Sequence, residues 1–483
     1  MIEQTVKTAS PPPETKPQTP GISKMKWAGR AVTILIPVAF WLAPLNLDKN
    51  VQHALAITIF MIAAWITETF DHAITGFIGC FLYWALGIVR FPVAFSGFAN
   101  DTTWFLFGAT LIGMMAMNTG LARRIAYLIM LVVGNSYARI LLGLIIVDYV
   151  LTYFVPSAIS RLVIVAAIGL GLMQILGVGK GSNIGRGMFM ILTYVANIFD
   201  KMILAGASSL TAKGLMEKVG QIQVSWGGWA YAFLPCGIIT IFVAWRLALW
   251  LYPPEIQQLP GGVSYFRQEL ARMGKWTTGE KKAALLLVLA LGLWLTDSKH
   301  PTVTASMVGL GIGLLSILPG IGVLGVEDLK KVNYLPMFFV AAAISMGEVL
   351  VATKSLDVLT NVMFNWMTPL IHGVFSSTTV LYWTAFIYHL FLASEISMLG
   401  TSTPLVMKFA LAKGLSPLIL GMIWTFAAGA KIFVYQSGVM VVGYSYGYFE
   451  TKDMFKVGLW LSIIEYFILL ALVAFYWPVI GVH

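Results

Sequence analysis

The sequence predicts an all-α polytopic membrane protein, and three observations carry that reading. Of its 483 residues, 58% are hydrophobic and only 11% charged, against about 25% charged in soluble domains. Apolar windows close to the ~20 residues a helix needs to cross a bilayer recur along the whole chain. Two apolar runs, residues 154–165 (FVPSAISRLVIV) and 392–399 (LASEISML), are interrupted by the same small word, Ser-x-Ile-Ser, with a carboxylate, Glu395, in the second copy.

Residues 1–27, rich in Pro, Thr and Lys and lacking an apolar core, read as a disordered tail. Lys7, Lys16, Lys24, Lys26 and Arg30 put that tail in the cytoplasm, because cytoplasmic segments are enriched in Lys and Arg. A first half, 28–252, holds apolar windows at 29–46, 51–68, 72–89, 103–122 and 228–251. Residues 253–282, with Arg267, Arg272, Lys275, Lys281 and Lys282, read as a cytoplasmic linker. A second half, 283–483, holds windows at 283–297, 302–319, 335–352 and 457–479. The net charge of +10 therefore resides in loops and tail; the expected partner is the lipid bilayer, and no nucleic-acid partner is expected. Cys80 and Cys236 lie in apolar runs without metal-ligand spacing and read as packing residues. No nucleophile-base, metal-ligand or phosphate-loop motif stands in a context that would make an enzyme.

The halves resemble each other: TTWFLFGATLIGMMAMNTGLARRI from Thr102 pairs with NYLPMFFVAAAISMGEVLVATKSL from Asn333, at an offset close to that of the two Ser-x-Ile-Ser words. Apolar arms too short for two full spans flank each polar break, which predicts re-entrant hairpins over 137–180 and 374–414. Each hairpin is followed by a helix expected to break, over 187–217 and 417–447, at ANIFDKMILAGASS and KIFVYQSG. Polar backbone of that kind is tolerated at membrane depth only where it lines a cavity or is buried in protein. Five full crossings plus one hairpin per half make the repeats inverted, giving about eleven transmembrane helices in all.

Specific strings carry a family resemblance: Trp65-Ile66-Thr67-Glu68, FSGFANDTTWFLFGATLI over 95–112, Asn118-Thr119-Gly120-Leu121, and GYSYGYFETKDMFKVGL over 443–459. The chain resembles the divalent anion:sodium symporters over residues 45–478, and Tyr388-His389 and Arg161 place it nearest the branch with citrate and plastid dicarboxylate carriers, which includes exchangers. The resemblance implies a secondary active transporter of small di- or tricarboxylates or related anions, coupled to Na+, in a cell (inner or plasma) membrane. It further implies homodimers in which a scaffold holds still while a transport domain of hairpins and broken helices moves as an elevator. Beyond sodium ions, no cofactor is expected.

In that family each hairpin tip carries Ser-Asn-Thr and each broken helix a Thr-Pro-Pro-Asn-like loop. The matching positions make Ser157, Ala158, Ile159, Arg161, Ser394, Glu395, Ile396, Ser208, Ser209, Gln436 and Ser437 the expected substrate-binding residues, and Ser157, Gly206, Ser394 and Glu395 the expected sodium ligands. The tip serines survive and the Asn-Thr pairs do not. An ionised carboxylate at membrane depth costs ~3 kcal/mol or more unless paired. Glu395 must therefore pair, with Lys431 the nearest partner by family geometry, or bind a cation, or carry a proton. Arg161 either grips a substrate carboxylate or neutralises Asp148 on the other arm of its hairpin. Asp200-Lys201 is a local ion pair or a polar edge facing water, and His389 reads as a hydrogen-bonded packing residue. The alternatives to sodium symport are a proton-linked carrier, an anion exchanger, the same fold with a neutral or zwitterionic substrate, or a receptor that senses without transporting.

Overall fold

A computed structural model describes residues 24–258, 261–392 and 394–482. The chain is all-helical, and no strand occurs among the described residues, only an isolated bridge between Ser136 and Gln258. The expected tail lies outside the described residues up to position 23, and its last residues open the helix Lys24–Leu42. The apolar windows have become helices, and several of their starts are set by a local capping residue. Asp48 accepts the Asn50 and Val51 N–H groups before Lys49–Thr67, Asp71 does the same before His72–Ala85, and Asn100 before Asp101–Asn118. These side chains satisfy N–H groups that a helix leaves without partners in its first turn.

Among the described residues, five helices are long and apolar enough to cross a membrane: Lys49–Thr67, Ala158–Ile175, Trp226–Leu251, Leu335–Ala352 and Thr451–Tyr476. Asp101–Asn118 and Leu121–Leu131, bent by 63°, count as a sixth if taken together. The order of elements runs in parallel in the two parts of the chain. Asp101–Asn118 with Leu121–Leu131 corresponds to Leu335–Ala352 with Ser355–Phe364. Tyr137–Thr152 and Ala158–Leu176 correspond to Val374–Leu390 and Glu395–Ala412, and each of these pairs packs together beside its break. Asn183–Phe199 and Ala207–Gly220 correspond to Pro417–Ala427 and Gly438–Ser445, followed by the long helices Trp226–Leu251 and Thr451–Ala471.

The return arm of the first hairpin begins at Ala158, four residues before its apolar run, because Ser157 accepts the Ser160 N–H and starts the helix there. At 19 residues Ala158–Leu176 is long enough to span a bilayer, so this arm is longer than the short apolar arm expected from sequence. The segment 253–282 also differs from a plain linker, since it contains the helix Gly262–Arg272. It is tied down along its length. Tyr137 N–H donates to Gln257 O at 3.0 Å, Val263 N–H to Asn135 Oδ1 at 2.9 Å, and Arg124 binds Glu280 at 2.6 Å and Gly274 O at 3.0 Å.

Candidate functional site

The two hairpin breaks and the two helix breaks converge. The first helix break, residues 200–206, opens at Asp200 where Asn183–Phe199 ends, and its polar backbone is satisfied by indoles from the next long helix. Trp229 Nε1 donates to Lys201 O and Trp226 Nε1 to Leu204 O, each at 2.9 Å. Gly206 is required in this loop: a Cβ there would stand 2.5 Å from Asp200 Oδ1, so only glycine lets Asp200 fold back against the start of Ala207–Gly220. Ser208 then donates to Asp200 Oδ2 at 2.9 Å.

The second helix break runs from Ala428 to Ser437. Gln436 turns inward to hold it: its Oε1 accepts the Ile432 and Phe433 N–H groups, both at 2.8 Å, and its backbone carbonyl meets His389 Nε2 at 3.2 Å. His389 is buried and serves this packing role. Ser437 donates to Asn197 Oδ1 at 2.8 Å and so joins the second break to the helix leading into the first.

At the meeting point lies a buried cluster of three cations and three carboxylates: Arg161, Lys201 and Lys431 with Asp148, Asp200 and Glu395. Glu395, the first residue of its helix, has one oxygen on the Lys431 ammonium at 2.6 Å and the other against the Lys201 ammonium. Lys201 also holds Asp200 at 3.2 Å. Arg161 is sealed behind the first tip, 3.5 Å from both Asp148 and Asp200, with its two terminal nitrogens donating to Val155 O and Ala196 O at 2.8 Å. Two carbonyl bonds and two nearby carboxylates compensate the buried guanidinium, while its Nε faces Asp148 at ion-pair distance without a hydrogen bond. Of the two alternatives for Arg161, this geometry is the neutralising one, extended to a second carboxylate.

A cavity of ≈ 550 Å³ opens beside the cluster. Its walls include Ser157, Ala158, Ile159, Ser208, Ser394, Glu395, Ile396 and Ser437 from the sequence-derived set. Arg161, Gly206, Ser209 and Gln436 of that set stand outside the lining. The Gly206 carbonyl is already engaged by the Leu210 N–H and the Ser209 hydroxyl, at 3.0 and 3.2 Å. A sodium ion at Glu395 would also face two ammonium groups. Among the four expected sodium ligands, Ser394 is left freest, its hydroxyl making no cap bond to its own helix. Asn118 and Asn333 also line the cavity and were missed from sequence, although both belong to the strings by which the halves resemble each other. Asn197 and Lys201 were likewise absent from the expected set; the polar break in ANIFDK was the signal that marks them.

The cavity wall carries one ammonium, Lys201, two carboxylates bound to it, Asp200 and Glu395, and several hydroxyls and amides, which is chemistry for holding a polar solute rather than transforming one. Comparison with known proteins agrees. Residues 24–483 match the family model for the sodium:sulfate symporter transmembrane region. The chain is 25% identical to dicarboxylate transporter 1 of Spinacia oleracea chloroplasts over 94% of this chain and 82% of that one. It is 24% identical to the citrate/succinate antiporter of Escherichia coli, over 80% of each. It is 23% identical to a putative malate transporter of Bacillus subtilis, over 95% of this chain and 98% of that one. With the family model covering nearly its whole length, the chain belongs to the sodium:sulfate symporter family, the divalent anion:sodium symporters, and is a multi-pass membrane transporter rather than an enzyme.

Proposed function

We propose that the chain carries small di- or tricarboxylates by exchange, using Lys201 and Lys431 as fixed cations in place of coupled sodium. The observation that carries this reading is Glu395, held between those two ammonium groups at the edge of the cavity. A substrate carboxylate reaching the cavity is chemically equivalent to the Glu395 carboxylate and competes with it for the same lysines. Ser157 and Ser394 add hydroxyl donors, and Asn118 and Asn333 add amides to the lining. Relatives named as a citrate/succinate antiporter and as dicarboxylate transporters support both the substrate class and the exchange mode.

On this reading about eleven crossings form two inverted repeats, 28–252 and 283–483, joined by the cytoplasmic linker 253–282, with the N-terminus in the cytoplasm and the protein in a plasma membrane. The hairpins and broken helices move as an elevator against a dimeric scaffold. Sodium symport is the second reading, favoured by the uncommitted hydroxyl of Ser394. Proteoliposomes loaded with unlabelled succinate, or empty, and offered labelled succinate, citrate, malate or sulfate with and without sodium separate the two. Uptake of a carboxylate that needs internal substrate and ignores sodium is expected. Uptake into empty vesicles that requires sodium would replace exchange by symport, and no anion uptake under any condition would overturn the carrier reading.

A further inference from the structure

A second carboxylate, outside the substrate cavity, has no place in the function above. Glu465 is buried in the last long helix, Thr451–Ala471, and among the described residues no Lys, Arg or His nitrogen lies within ion-pairing distance of it. Its hydrogen bonds come from neutral donors on Trp226–Leu251: Thr240 Oγ1 at 2.6 Å and Cys236 Sγ at 3.7 Å. Carboxylates buried at this depth without a cation are costly, and the protonated acid is the form that such surroundings accommodate.

Glu465 also faces a small internal cavity of ≈ 10 Å³, about the space of one water. Lys431 lines the same cavity while its ammonium sits on Glu395, so one lysine touches both the substrate cavity's carboxylate and the chamber of Glu465. The approach of the two elements depends on Gly458, where a Cβ would stand 2.2 Å from Lys431 O. Seven residues on, and so on the same helix face, is Glu465. The other titratable groups around the chamber are committed elsewhere. Tyr194 donates to Met454 O at 2.6 Å and Tyr382 to Ser462 O at 2.7 Å, and Cys236 points its thiol at Glu465 itself.

We propose that Glu465 is a proton-binding site: a neutral acid held by Thr240 that gives up its proton and becomes the counter-ion of Lys431 when Lys431 loses Glu395. The proton is released to bulk water, and the charge beside Lys431 is restored by the new carboxylate. The proposal concerns Glu465 and Lys431 alone and does not depend on which anion is carried. Its test is therefore spectroscopic: infrared spectra of the purified full chain in lipid nanodiscs, read for the carbonyl stretch of a protonated carboxylic acid at neutral pH. The native chain is expected to show this band, Glu465→Gln to lose it, and Thr240→Val to shift its frequency while keeping it, which guards against misfolding of the Gln variant. Glu395→Gln, which strips Lys431 of its partner, is expected to lose most of the band as Glu465 ionises. A band absent from the native chain, or unchanged in Glu465→Gln, overturns the proton site. A band that persists in full in Glu395→Gln overturns its link to Lys431.

Discussion

At the first hairpin tip the charged residue, Arg161, is sealed behind the break among Asp148, Asp200 and two backbone carbonyls, whereas at the second tip Glu395 reaches the cavity and is held there by lysines from both helix breaks. Both tips begin from a serine and the same short word, yet one charge fastens a hairpin to its neighbours and the other is presented to whatever enters. The difference teaches that a charge at a hairpin tip is not enough to make a binding group. What decides its role is whether the partners lie within the same half, leaving it enclosed, or come from both halves, placing it at their junction.

The largest effect is expected at the second tip. Glu395→Ala leaves Lys431 with only backbone carbonyls for partners. Uptake should fall to background, and the loss of stability should lie toward the upper end of the ~3–5 kcal/mol typical of a broken buried pair. Uptake together with thermal unfolding measures both. Arg161→Met should cost toward the lower end of ~3–5 kcal/mol, because Asp200 keeps Lys201 and Ser208 while Asp148 is stranded. Adding Asp148→Leu should restore much of that stability and return measurable transport. If the first-tip double variant is instead stable yet inert in transport, Arg161 works on substrate and the contrast between the tips fails.

A smaller loss is expected at the support of the first break. Trp229→Phe removes the indole bond to Lys201 O and should cost about 1 kcal/mol, read as a lowered unfolding midpoint with transport retained in part. The smallest effect lies outside the membrane-spanning segments, at Glu255. Burial acts to raise its carboxyl, but the Asn183 and Ile184 N–H groups at a helix start outweigh it and hold the group below the usual carboxylate range. Its contribution is therefore complete above the unfolded carboxylate range and fades as pH falls through the depressed value. Amide exchange at residues 183–186 should quicken over that acidic window in the native chain, and Glu255→Gln should exchange faster already at neutral pH.

How much of this was legible in the sequence follows from the range of the interactions. Helices and both breaks could be read locally: Ser157 as a cap, the Pro-Ser interruption and the polar Asp200-Lys201 step are all visible within a few residues. The Asp148–Arg161 pairing was foreseeable because its partners sit on two arms of one hairpin, and Lys431 beside Glu395 followed from the family's geometry. The pairing of Lys201 with Glu395 was not foreseeable, since no local spacing joins residues from different halves. The same holds for Ser437 with Asn197. The helix Gly262–Arg272 was missed because its polar residues resembled a linker, and its stability comes from contacts with the first half rather than from its own pattern. Glu465 could have been marked, as an ionisable residue inside an apolar window is a functional candidate by default.

The central claim, that fixed lysines do the work of coupled sodium, is tested most directly by titrating succinate or citrate into the purified chain in sodium and in choline buffers of equal ionic strength. Coupling between ligands bound to one protein ordinarily changes affinity by about 5- to 150-fold. The account predicts dissociation constants that agree within about twofold in the two buffers, well below that coupling range. Binding at least about fivefold tighter in sodium would contradict it and return the cation role to sodium itself.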